Sequence, residues 1–390
     1  MNGIKRLAIV TTHPVQYHVP WLIRLAEKGI QLKVFYTWEQ ARNGIVYDPG
    51  FGRNIKWDIP LQEGYDLQFI KNSSPWSGTG HFWGIVNPGL NKEIESWRPD
   101  CLLVFGWNFY SHLQCIRHFH NKIPILFRGD SILLYEGKGI RRWARRLFLT
   151  WVYRHVDYAL YVGTHNKSYY LKYGLDPSQL VYTPHAIDVD RFSEPGKASI
   201  HDSVAWKKEL GIPADHLTVL YAGKMTRLKN PSFIIDLAHA CKGLPLSFIL
   251  VGNGRLKAAL QERCKNNRKI IFLDFQNQTM MPLVYRLGDI LIMPSIKETW
   301  GLAISEAMAC GRPVMASDKV GCAVDLVQEY KTGITFNIHD IDACTRFLKY
   351  LCEDRSRLAA MGVNAANLIR RFTFTHIVDS ITGLLARMDK

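Results

Sequence analysis

Short, nearly uninterrupted apolar runs recur along this chain, and most are followed by a stretch with helical spacing. They fall at residues 7–10, 32–36, 101–105, 123–127 and 159–162, and again at 217–221, 247–251, 269–273, 290–293 and 313–316. A strand with one wet face alternates apolar with polar residues, so runs apolar at every position imply burial on both faces, as in a parallel sheet covered by helices. Between the two sets, residues 188–203 turn polar and include Pro195-Gly196, which reads as a linker. The expected class is therefore α/β, with two Rossmann-like, doubly wound domains facing across a deep cleft, where ligands of such sheets bind. The boundaries expected are 1–195 and 196–370, with 371–390 a helix crossing back to the N-terminal domain. Residues 37–91, rich in Gly, Pro, Trp and Asp, fit this pattern poorly and read as an insertion near the cleft.

A length of 390 residues exceeds what one core usually supports, and 47% apolar with 21% charged residues is the balance of a folded globular chain. The formal charge of +15 calls for an anionic partner: nucleic acid, anionic lipid or a phosphorylated metabolite. Nucleic acid is disfavoured, because the positive excess is shared by both halves and no recognised motif accompanies it. The eight cysteines are scattered, with no Cys-x-x-Cys pair and no histidine at zinc spacing, so reduced, mostly buried thiols and no metal site are expected. No apolar run approaches the roughly 20 residues that span a bilayer, and no export signal opens the chain; a cytoplasmic location is expected. Residues 141–154 combine arginines with Trp143, Phe148, Trp151 and Tyr153. Such a helix suits the surface of an anionic membrane, or is an ordinary amphipathic helix with solvated arginines.

The chemistry concentrates in Pro294-Ser295-Ile296-Lys297-Glu298-Thr299-Trp300-Gly301-Leu302-Ala303-Ile304-Ser305-Glu306, which follows a strand and opens a helix. First-turn N–H groups around Gly301, Leu302 and Ala303 suit phosphate or sugar oxygens. Glu306 lies eight positions after Glu298, about two turns at 3.6 residues per turn, so both carboxylates can face one extended ligand. This stretch resembles the Glu-x7-Glu motif of retaining GT-B glycosyltransferases, especially family 4, and the likeness runs over essentially the whole chain. The resemblance implies that Glu298 contacts the donor sugar and stabilises its developing positive charge. It also implies that Glu306 accepts hydrogen bonds from the ribose, and that Trp300, Gly301, Leu302 and Ala303 line the donor site.

Gly223-Lys224-Met225-Thr226-Arg227-Leu228-Lys229 follows another strand and resembles the family's Gly-Arg-x-x-x-x-Lys-Gly signature. Cations fixed there stabilise the diphosphate as it leaves. Lys224 stands where the family usually has arginine, which forfeits a bidentate fork and leaves Arg227 as a substitute donor, while Lys229 matches the family's lysine. Gly252 and Asn253 resemble the family's Val-Gly-x-Gly turn, and Phe275 and Gln276 fall in the segment that faces the nucleobase. Asp274 replaces the usual glycine there, so the base is not readable. Asp289 reads as a structural cap.

On the acceptor side, the loop containing His13, Gln16 and Tyr17 resembles a His-Pro-x-Gln-Tyr subgroup. Asp130 is the candidate for contacting the transferred sugar or guiding the acceptor hydroxyl, with Arg128 holding it. By the resemblance, lysines and helix amides neutralise the diphosphate without a metal, no cofactor is expected, and the nucleotide-sugar is a substrate. The implied activity is retaining, hexosyl-type transfer from a UDP- or GDP-sugar to a glycan or lipid-linked acceptor, in cell-surface polysaccharide biosynthesis. Two rivals share such a fold: a catalytically silent subunit that binds nucleotide-sugar or glycan, and a UDP-sugar 2-epimerase. The Lys224/Lys229 and Glu298/Glu306 pairing argues against the epimerase.

Overall fold

A computed structural model describes residues 6–137, 139–194 and 200–388, and the chain divides into two units. Unit 1 comprises Met1–Val46, Ile59–Ala186 and Phe374–Lys390; unit 2 comprises Tyr47–Asp58 and Ile187–Thr373. The division in the chain therefore falls at Ala186 and Ile187, whereas Pro195-Gly196, where the sequence placed its boundary, lies outside the described residues.

The strands, in chain order, begin with β1 (Arg6–Thr11), β2 (Gln31–Tyr36), β3 (Ile45–Asp48), β4 (Arg53–Lys56) and β5 (Asp66–Phe69). Next come β6 (Cys101–Phe105), β7 (Ile125–Arg128), β8 (Tyr158–Tyr161) and β9 (Leu180–Tyr182). Unit 1 is built on a seven-stranded parallel sheet of order β5-β2-β1-β6-β7-β8-β9. The apolar runs are continuous because each strand feeds two cores. In β1, Ala8 and Val10 pack with Phe35, Leu102 and Phe127 on one face, and Leu7 and Ile9 with Trp21, Leu103 and Leu126 on the other. Helix Phe374–Met388 buries Phe374, Ile377, Val378 and Ile381 in that second core and packs on helix Val19–Glu27.

Unit 2 carries β10 (Leu217–Ala222), β11 (Leu246–Val251), β12 (Ile270–Leu273), β13 (Ile290–Met293), β14 (Val314–Ser317) and β15 (Gly333–Phe336). They form a six-stranded parallel sheet of order β12-β11-β10-β13-β14-β15. In each sheet the order reverses beside one central strand, at β1/β6 and at β10/β13. Such reversal points, at the C-terminal ends of the strands, are where sheets of this class bind ligands.

The expected insertion at 37–91 is not a single appendage. Its β5 completes the sheet of unit 1 beside β2, whereas β3 and β4 form a separate hairpin, most of which belongs to unit 2. Six of the eight cysteines are buried, Cys310 and Cys352 are partly buried, and all eight are free thiols. Asp289 ties the start of β13 to its neighbours: its carboxylate accepts from Thr218 N at 2.7 Å and from Lys207 Nζ at 2.9 Å. Asp289→Ala would strand the buried Thr218 N–H, and a loss of about 1–3 kcal/mol is expected by urea titration; an unchanged midpoint would refute the capping role.

Candidate donor and acceptor sites

In unit 2, two loops leave adjacent strands at the reversal point. The loop after β10 carries Gly223, Lys224, Arg227 and Lys229, and the loop after β13 carries Glu298 and leads into helix Leu302–Ala309. They are stitched together through one carbonyl: Leu228 O accepts from Ile296 N at 2.8 Å and from Lys297 N at 3.3 Å. This places the Lys229 ammonium on the Glu298 carboxylate, an ion pair of mostly covered side chains. Burial, with the nearby Lys224 charge in second place, lowers Lys229 to about 8.

Gly301 caps the helix at φ +108°, and a Cβ there would meet Met293 Sδ and Val320 Cγ1, each at 3.0 Å. The positive φ strains any residue but glycine there, and a Cβ would also require those two side chains to shift. The N–H groups of Leu302 and Ala303 precede the first intrahelical bonds and are available in the first turn. The Trp300 ring is buried, with Phe372 beside it, and Trp300 O accepts from Cys322 N at 3.0 Å, which fixes the loop backbone.

Glu306 accepts a 2.5 Å hydrogen bond from Tyr285 OH. Burial raises its carboxyl to about 7 against the opposing influences of Tyr285 and Arg191. Tyr285 and Arg191 were not singled out in the sequence, since neither lies in a motif. Gly252, at φ +133°, sits so near Gly223 that a Cβ would come within 2.1 Å of Gly223 O, which explains the Val-Gly turn as a backbone-to-backbone approach. Asn253 is engaged locally, accepting from Lys257 Nζ at 2.8 Å, while its carbonyl accepts from Met225 N at 2.8 Å. Phe275 packs edge-on to Phe51, and Gln276 donates weakly to Asp274 O at 3.3 Å. Arg227 is exposed. Lys224 pairs with Asp48 at 2.7 Å, a partner from the β3–β4 hairpin that no sequence motif announced.

In unit 1 the loop after β1 holds His13 against Thr12 Oγ1 at 2.9 Å and edge-on to Trp38, and half-buries Gln16. Tyr17 lies edge-on to His18 and His185. Arg128, at the end of β7, is buried and donates to Thr183 O at 2.9 Å, to Thr183 Oγ1 and to Pro184 O at 3.3 Å. Its guanidinium is therefore anchored on the strand-end backbone, in addition to feeling the Asp130 charge. Burial, then the Asp130 charge, raises Tyr17 to about 12, and burial followed by Arg128 holds His18 and His185 well below the usual histidine range. Both histidines are neutral at pH 7. Asp130 itself is exposed. His185, at the exit of β9, was treated in the sequence only as part of a break; its closeness to Tyr17 gives it a place in this group.

Residues 202–368 match the family model described as glycosyl transferases group 1. Among curated relatives, the D-inositol 3-phosphate glycosyltransferase of Xylanimonas cellulosilytica is 28% identical over 224 residues, covering 56% of this chain and 54% of that protein. That of Mycobacterium bovis is 28% identical, covering 55% and 45%. The chain thus spans about half the length of the curated relatives it matches. Among solved structures, Anabaena HepE, determined in complex with UDP and glucose, superposes with a TM-score of 0.73 at 16% identity, covering 98% of this chain and 100% of that one. Sucrose-phosphate synthase from Thermosynechococcus elongatus gives 0.73 at 16%, covering 98% and 99%. At these identities the superpositions establish the shared GT-B fold.

The raised Glu306 carboxyl has a thermodynamic signature. A group whose folded pKa lies above its unfolded value contributes stability that is fully present below the unfolded pKa, here the ordinary carboxyl value of 4.5, and is lost as pH rises through about 7. The stability of the native chain relative to Glu306→Gln should therefore fall between pH 5 and 7 and level off above; a difference independent of pH would refute the raised value.

Proposed function

We propose that this chain, which has the GT-B fold and whose residues 202–368 match the group 1 glycosyl transferases, transfers a hexosyl-type sugar, with retention, from a UDP- or GDP-sugar to a glycan or lipid-linked acceptor, in the assembly of cell-surface polysaccharide. The observation that carries the reading is the Lys229–Glu298 pair beside Lys224, held where the loops after β10 and β13 join at Leu228 O. When the bond from the sugar to the diphosphate breaks, negative charge grows on the leaving phosphate and positive charge on the sugar. Lys224, Lys229 and the first-turn amides of Leu302 and Ala303 answer the first charge, and Glu298 answers the second. Glu306 receives the ribose hydroxyls in its ionised form. In this reading, neutralisation of the diphosphate is assigned to these groups and to no divalent ion. Asp130, with Tyr17, His13 and Gln16, faces the acceptor side.

Glu298→Gln and Lys229→Ala are each expected to lower kcat by roughly 10²–10³ while leaving the circular dichroism spectrum and melting temperature close to native. Near-native turnover in both would reject the site.

A peripheral position on the cytoplasmic face of a membrane forms part of the reading. No helix among the described residues is long and apolar enough to cross a membrane. Helix Ile140–Tyr153 buries Leu149, Val152 and Tyr153, yet on another face it exposes Ile140, Trp143 and Leu147 at 83%, 63% and 53%. Arg141, Arg142 and Arg146 are exposed beside them. A surface helix normally turns polar residues outward; an outer apolar stripe edged with arginine suits anionic lipid. The protein should float with phosphatidylglycerol vesicles at low salt and not with phosphatidylcholine, and Trp143→Glu/Leu147→Glu should abolish flotation. Equal recovery of the native and doubly substituted proteins would refute this surface.

A further inference from the structure

The β3–β4 hairpin lies far in sequence from the rest of unit 2, yet it is fitted to the loops of that unit with close tolerances. Asp48 divides its two oxygens between two tasks. Oδ1 accepts from Gly50 N at 2.8 Å and Phe51 N at 3.1 Å, closing the turn, and Oδ2 lies 2.7 Å from Lys224 Nζ. The Phe51 ring lies 5.2 Å from the same ammonium. Gly50 rests on the lysine stem so closely that a Cβ would come within 2.5 Å of Lys224 Cδ, and Gly254 lies against Gly50 O, where a Cβ would approach to 2.9 Å. Farther along, Asn277 Nδ2 donates to Lys56 O at 2.8 Å and Thr279 N to Asp58 Oδ2 at 3.2 Å, while Phe275 is flanked by Phe51, Trp57 and Arg53. The Lys224 side chain, still 37% exposed, meets one carboxylate from the hairpin, whereas the neighbouring Lys229 is paired with Glu298.

We propose that this hairpin is a working part of the diphosphate site, with Asp48 a positioning residue that holds Lys224 until a nucleoside diphosphate takes its place. The proposal rests on the reading of unit 2 as a nucleotide-sugar site and adds to it an internal anion that competes with the ligand. Its chemistry is an exchange of ion-pair partners: the Lys224 ammonium leaves a carboxylate and meets a phosphate, which carries more charge, and no bond is made or broken. Because Asp48 must be displaced, it lowers affinity for the diphosphate in both donor and product. Because its other oxygen holds the turn, it remains adjacent and ready to reclaim the lysine as product departs.

The test uses the full chain with UDP, GDP and ADP as probes, titrated by calorimetry. Asp48→Asn keeps an oxygen for the Gly50 and Phe51 amides but removes the charge, so the tightest-binding nucleotide should bind roughly two- to tenfold more tightly. Lys224→Ala should weaken it, and the double variant Asp48→Asn/Lys224→Ala should bind like Lys224→Ala, since the gain acts only through the lysine. Unchanged or weaker binding in Asp48→Asn, while Lys224→Ala weakens binding, would overturn the exchange and leave the proposed function standing. A Lys224→Ala variant that binds as the native chain does, or a native chain that binds none of the three nucleotides, would overturn both.

Discussion

The two-loop junction at Leu228 O organises unit 2. Without the hydrogen bonds from Ile296 and Lys297 to that carbonyl, Lys229 and Glu298 would sit on separate loops and pay side-chain entropy to meet. Stitching the backbones first makes the ion pair local. It also keeps a partly buried lysine near neutral pH in a state that is easily perturbed, since burial already opposes its charge and Lys224 adds repulsion. Such a cation gains most when a dianionic group arrives, because the arriving charge reverses both penalties at once.

Much of this junction was legible in the sequence. The apolar runs at 217–221 and 290–293 marked β10 and β13, and Gly301 marked a backbone position that a side chain would crowd. The spacing of Glu298 and Glu306 set a carboxylate before the helix and another within it. What could not be read were the partners supplied by distant segments. Tyr285 reaches Glu306 from helix Met281–Leu287, and Arg191 comes from the segment that opens unit 2. A tyrosine on an apolar helix gives no local sign that its hydroxyl will find a carboxylate. The burial of the Trp300 ring is likewise not readable locally: its sequence neighbours are polar and glycine-rich, and Phe372, far along the chain, lies beside it.

The edges of the fold were also hidden. β9 has three residues, too few to stand out as a run, and β5 mixes Asp and Gln with Leu and Phe, because an edge strand needs fewer apolar positions than a central one. The β3–β4 hairpin is more exposed still: Ile45 and Tyr47 of β3 face solvent and Ile55 alone of β4 is buried, so the apolar residues of β3 do not mark a core strand. Its placement is encoded by Asp48, Gly50 and Phe51 acting on Lys224, Gly254 and Phe275. Those complementary pairs have meaning only once the fold has brought them together.

This coupling also bears on the identity of residue 224. A guanidinium there would present a planar fork to Asp48 and could hold the carboxylate with two parallel hydrogen bonds, a stronger and more directional grip than an ammonium makes. Lysine is a compact point charge on a rotatable stem, and Gly50 leaves that stem the room it occupies. A contact that must be surrendered to a ligand is better made by the weaker, less directional donor. A hairpin carrying its own carboxylate is therefore physically compatible with lysine at this position in a way that it would not be with arginine, and the departure at 224 and the hairpin at 47–58 can be understood as two halves of one local solution.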